Sequence, residues 1–355
     1  MIHLQACVLV RRPVSCKSQT FLPHSPSWER WTKNTGGGAM IEIFYKDNGQ
    51  MMVSQSEADF ATIPYEKVIW IDLFSPSGEE KRAVEHFLGT TIQNRAQAEE
   101  IEISSRFSET EQAIFANTSF LIPGPDEYAE ETVSFILSGN ILTTLRECPL
   151  KSFTDLQRRL MAFPKIYDSG HVAFLSILEN RIDLDADMVE LLSKEINQYN
   201  RKVSVGEDIS EEFLIDINII QENTMLIREN IIDKQRVISS ILKSANYPEQ
   251  YRSRLNVLLK DISSLINHTD FGFERLEYLQ NTVLGIINLD QNKIMKVFTL
   301  VSLLLMPPTL IASFFGMNVS FGWFGTSAWS WIIALGLMAL SILVVFWVFK
   351  KRRMF

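Results

Sequence analysis

Seven residues near the C-terminus, Asn292, Met295, Thr299, Ser302, Met306, Thr309 and Ser313, stand 3, 4, 3, 4, 3 and 4 positions apart. At 3.6 residues per helical turn that spacing puts them on one face. The stretch around them is otherwise apolar, holds the adjacent prolines Pro307 and Pro308, and ends in Gly316, Met317 and Asn318. Hydroxyls and amides so placed have two uses. They can satisfy the helix's own carbonyls, including those that the prolines leave without a donor. Alternatively, they line a wet path, where oxygens accept hydrogen bonds from a hydrated ion and rings of Met form constrictions that close by dewetting. Neither apolar stretch carries a carboxylate, which argues against a proton-coupled pump.

The elements that must position this stripe are two membrane spans. Residues 297–317 form a run of 21 without a charge, and residues 328–349 another of 22. Each meets the roughly 20-residue requirement for crossing a bilayer. Lys293 and Lys296 precede the first span, Lys350, Lys351, Arg352 and Arg353 follow the second, and residues 318–327 between them are uncharged. Basic residues favour the cytoplasmic side, so both termini are expected there, with a short loop outside. The net charge of −8 divides as +4 over residues 1–39, +6 from Lys293 onward and therefore −18 over residues 40–290. An acidic body above a basic collar attracts cations and disfavours nucleic acid as a partner. Two spans cannot enclose a path, so several copies are expected to pack with the stripe inward.

Residues 1–39 read as a non-native or disordered extension, with Met40 as the expected start. Residues 40–165 read as an α/β domain. Val68–Phe74 is β-rich, followed by a helix with Ser75 as its expected cap and Gly89 as its stop. Residues 115–122 form a second strand, and residues 131–137 and Ile141–Arg146 flank a hairpin turn. Residues 166–296 read as a helical stalk, broken near residues 204–208 and 245–250. After Pro248 one helix is expected over residues 249–315, with apolar residues at near-heptad spacing (Leu255, Leu259, Ile262, Ile266, Phe273, Leu276, Val283, Ile287) as a surface for oligomerisation. No phosphate-cradling glycine loop or nucleophilic triad stands out, and the chain is not expected to be an enzyme or to hold an organic cofactor. Cys7, Cys16 and Cys148 lack metal-ligand spacing, and no disulfide framework is expected in a reducing compartment.

Gly316, Met317 and Asn318 closing the first of two C-terminal spans, "MPPT" from Met306 and "QNKIMK" from Gln291 together resemble the CorA family of magnesium and cobalt channels. So does "AEEIEISSRF" at 98–107. The resemblance implies a funnel-shaped homopentamer in the bacterial inner (plasma) membrane, importing Mg²⁺ and also Co²⁺ or Ni²⁺. It implies a selectivity ring at Asn318, in the motif with Gly316 and Met317. The implied lining is Asn292, Met295, Phe298, Ser302, Met306, Thr309 and Ser313, with Phe298 preferred to Thr299. It further implies a regulatory Mg²⁺ site at Glu100, paired with Asp261 by local pattern or with Val257 by strict counting. The loop "VSFGWFGTSAWSW" after Asn318 lacks the acid that many relatives carry. A zinc-transporting branch of the same superfamily is therefore the first alternative, and a two-span membrane anchor or sensor the second.

Overall fold

The computed structural model describes residues 40–93, 106–124, 128–206, 211–317 and 330–351. They fall into two compact units, one of residues up to 277 and the other from Tyr278 onward together with Gly206.

The first unit is built on a seven-stranded sheet. Strands β1 (Met40–Asp47) and β2 (Gln50–Ser54) form a hairpin, followed by β3 (Val68–Phe74) and helix α1 (Gly78–Leu88). Strands β4 (Phe107–Glu109), β5 (Ala113–Ile122), β6 (Ala129–Ser138) and β7 (Ile141–Arg146) complete it in the order β2-β1-β3-β7-β6-β5-β4. Only β3 and β7 pair in parallel, with Trp70 opposite Leu142. The β1–β2 turn is Asn48-Gly49, with φ of 48° and 80°. That is the local signature of a two-residue hairpin, and it went unread. The hairpin around Gly139 closes with Ser138 opposite Ile141. Ile41, Ile43, Val68, Ile71, Leu73, Val84 and Ile136 share one core under α1. The cap of α1 is Ser77, not Ser75. Ser77 and Glu80 complete a reciprocal capping box, while Ser75 sits at φ 46°. Gly89 ends the helix at φ 69° as expected.

Three long helices follow the short α2 (Lys151–Ala162): α3 (Gly170–Val205), α4 (Glu211–Lys243) and α5 (Glu249–Gly316). Gly170 opens α3 hard against the sheet, where an added Cβ would lie 2.2 Å from the Leu142 nitrogen. A buried charge cluster joins α3 and α4 to β5. Arg181 pairs with Asp185 and donates to the Leu121 carbonyl at 2.9 Å, Lys234 reaches Asp185 at 3.0 Å, and Asn230 donates to the Ser119 carbonyl at 2.9 Å. At the ends of the parallel strands Arg146 lies between the Phe74 and Phe153 rings and pairs with Asp72 at 2.7 Å.

The near-heptad pattern of α5 also needs correction. Leu255, Ile262, Leu276 and Val283 are fully buried within the single chain. These four serve intrachain packing, while Leu259, Ile266, Phe273 and Ile287 of the same pattern are half-buried. The large side chains that α5 leaves exposed outside its apolar stretch are Val257, Phe271, Tyr278, Leu284, Leu289, Ile294 and Met295.

Candidate functional site

Helix α5 is 68 residues long, which is roughly 100 Å at 1.5 Å per residue. Its last third and α6 (Ser330–Lys351) are the two helices, among the described residues, long and apolar enough to cross a membrane. Asn292, Met295, Phe298, Thr299, Ser302, Met306, Thr309 and Ser313 are all exposed, Phe298 and Met306 at 67% each. The partly covered residues of this stretch are Leu300, Leu304, Pro307, Pro308, Ile311 and Phe315. At 100° per residue they centre about 160° from the polar stripe. One side of the span is therefore covered by the chain itself, and the opposite side, with every polar group, is left free.

The hydroxyls show how both readings of the stripe coexist. Thr299 donates to the Met295 carbonyl at 2.8 Å and Thr309 to the Leu305 carbonyl at 2.7 Å. Each hydroxyl proton is spent on its own helix, and the lone pairs remain outward. The water shell of a cation offers only protons, so an acceptor is the partner it needs. Gly316 ends α5, and a Cβ there would meet nothing within 4 Å. Nothing among the described residues therefore calls for glycine at that position. Met317 is 54% exposed. Asn318 lies outside the described residues, as do Glu100, Arg352 and Arg353.

Asp261 lines an open cavity of about 360 Å³ together with Glu179, Asp183, Arg254, Val257 and Leu258. Asp261 and Val257, the two candidates for one role, thus share a wall. Glu179 and Asp183 were missed, although their four-residue spacing on α3 was legible; what was hidden is that α3 and α5 bring them to Asp261. Arg254 holds Glu179 at 2.6–2.9 Å. Among the described residues no group of three or more carboxylate, His or Cys side chains is arranged to hold a metal ion. Of the collar, Lys293 and Lys296 are exposed on α5, and Lys351 lies 5.0 Å over the Trp347 ring at the end of α6.

An α/β domain followed by long helices, the last of which enters a two-span membrane unit with a one-sided polar stripe, defines a class of membrane transport protein. The chain belongs to the CorA-like Mg²⁺ transporter protein family, which it matches over residues 65–351. It is 32% identical to the magnesium transport protein CorA of Wolinella succinogenes over 321 residues, 88% of this chain and 99% of that protein. Its fold is that of the complete CorA magnesium transporter structure from Methanocaldococcus jannaschii. The TM-score is 0.72 at 18% identity, over 89% of this chain and 98% of that one. A more distant likeness, TM-score 0.52 at 14% identity, is to the cytoplasmic domain of ZntB from Vibrio parahaemolyticus, over 71% of this chain and 99% of that one.

Proposed function

We propose that the chain is a passive channel that imports Mg²⁺, and with it Co²⁺ or Ni²⁺, through a homopentamer in the bacterial inner membrane, both termini cytoplasmic. The observation that carries this reading is the free polar stripe opposite a covered face. Mg²⁺ gives up water reluctantly. A ring of Asn318 amide oxygens therefore selects the hydrated ion without stripping it, and the outward lone pairs of Ser302, Thr309 and Ser313 pass it along. Phe298 and Met306 form the apolar constrictions. The membrane potential drives entry with about 4.6 kcal/mol per divalent ion per 100 mV. On the cytoplasmic side Asp261 of one copy and Glu100 of the next hold a regulatory Mg²⁺ that keeps the path shut, so that falling internal Mg²⁺ opens it. Because no complete ligand set surrounds Asp261 among the described residues, sharing the ion between copies is the chemically sensible use of it.

The test is Mg²⁺ influx into liposomes with the interior chelated, for wild type and Asn318→Ala. Influx by wild type and its loss in the variant are expected; equal influx through both sinks the ring. Zinc is the second reading, favoured by the uncharged loop after Asn318. Competition between Mg²⁺ and Zn²⁺, with and without a proton gradient, separates the two.

A further inference from the structure

Pro307 and Pro308 lie inside α5, within its membrane-crossing stretch. A prolyl nitrogen has no proton, so the carbonyls four positions back, on Leu303 and Leu304, lose their helical donors. The nearest hydroxyl does not replace them, because Thr309 gives its proton to the Leu305 carbonyl at 2.7 Å. The prolines sit with Leu304 on the partly covered side of the helix, while Met306, the residue before them, is 67% exposed on the polar stripe. The pyrrolidine ring crowds the carbonyl below it and opens the helix on the proline side. The stripe side carries no proline, and there the Thr299 and Thr309 hydroxyls add bonds to the Met295 and Leu305 carbonyls. Bending is therefore cheap in one plane only, the plane through the prolines and the stripe. Its direction is toward the stripe.

We propose that Pro307 and Pro308 form a one-way hinge, just beyond Met306, that leans residues 309–316 toward the conducting axis and closes the path at Thr309 and Ser313. The inference rests on the pore reading of the stripe and names the part that moves. In the shut state the far side is stretched at a place where two hydrogen bonds are already absent, so the lean breaks none. Replacing the prolines by alanine restores both donors, and leaning then requires those bonds to open. The straight, open form is favoured.

The experiment measures Mg²⁺ influx into liposomes over a range of internal Mg²⁺, for wild type, Pro307→Ala, Pro308→Ala and the double variant. The internal Mg²⁺ that halves influx should rise on the order of tenfold in the double variant, with the single variants between. Alanine is the better helix former, so assembly is expected to survive, and size exclusion checks it. Half-inhibition at the wild-type concentration or below it in an assembled double variant overturns the hinge. If wild type itself carries no Mg²⁺, the pore reading fails instead, so the two failures are told apart.

Discussion

Lys234 is 1% exposed, and burial lowers its pKa from 10.5 to about 8, helped by the neighbouring Arg181 and opposed by Asp185. That displacement corresponds to about 3 kcal/mol held against folding at neutral pH. Its first source is burial, and a charge excess adds to it. Arg181 takes one oxygen of Asp185, Oδ1, at 2.5 and 2.9 Å, and Lys234 takes the other, Oδ2, at 3.0 Å, so two buried cations share one carboxylate, both facing the Phe120 ring. Asp233, nearby, is engaged with Arg106 at 3.5 Å. Lys234→Met should remove the 3 kcal/mol cost, offset by about 3 kcal/mol for leaving the Asn230 oxygen and Asp185 Oδ2 without the donor that Lys234 supplies. The variant is then about as stable as wild type at pH 7. The folded value lies below the unfolded one, so between pH 8 and 10.5 the unfolded chain binds more protons at this site, and wild-type stability rises with pH across that window. Near pH 10.5 wild type should be ahead. Urea unfolding of the detergent-solubilised full chain, followed by far-ultraviolet circular dichroism at several pH values, measures the difference and cancels titrations common to both. A variant that is less stable by 2 kcal/mol or more at neutral pH, by an amount independent of pH, would refute the reasoning. The lysine would then be a net stabilising partner of Asp185.

Three further outcomes follow from the packing. Gly170→Ala would drive a Cβ to 2.2 Å from the Leu142 nitrogen and 2.6 Å from the Ile141 carbonyl carbon, neither able to retreat. A loss of at least about 3 kcal/mol in the same urea experiment is expected. Arg146→Met leaves Asp72, 1% exposed, as a buried carboxylate without its cation. The cost is about 3–5 kcal/mol, and a loss under 1 kcal/mol would mean that Thr144, which donates to Asp72 at 2.7 Å, suffices alone. Arg254→Gln releases Glu179 into the cavity that Asp261 shares. If the regulatory cation binds there, half-inhibition of influx should shift to internal Mg²⁺ about two- to fivefold lower; an unchanged value detaches this cavity from regulation.

How much was legible in the sequence differs by scale. The long helices were readable because their breaks are chemical. Pro248 cannot continue a helix, and α5 then runs from Glu249 to Gly316, one residue beyond the end read from sequence. The stripe at Asn292 through Ser313 was readable because a span is a nearly uniform apolar background, against which polar spacing stands out. The heptad of α5 was read with the right period and the wrong partner. Periodicity reports that a face is buried and says nothing about which chain buries it; Leu255 and Val283 are buried by their own. The cap of α1 failed on a finer point. Ser75 and Ser77 look alike until Glu80, three positions after Ser77, is weighed as the second half of a capping box. The buried cluster of Arg181, Asp185 and Lys234 could not be read at all, since each residue taken singly looks like a solvated face of a helix.

The demand for other copies of the chain comes from a different place than the stripe. Within the membrane, hydroxyls bonded to their own carbonyls are tolerable against lipid, as are the exposed Val301, Leu303, Leu305, Leu310 and Phe314. Neither group by itself forces assembly. Below the membrane the balance changes. Val257, Phe271, Tyr278 and Leu289 are 56%, 60%, 71% and 70% exposed, and at 100° per residue they share one face of α5, roughly opposite its buried residues. Lipid cannot reach most of that length, and an apolar row of large side chains in water marks a surface meant for protein. On the proposed reading, the wet part of the long helix supplies the drive to associate, while the span contributes selectivity. Asn318→Ala should then lose transport without loss of assembly, and Phe271→Ala or Tyr278→Ala should weaken assembly without changing the groups proposed to meet the ion.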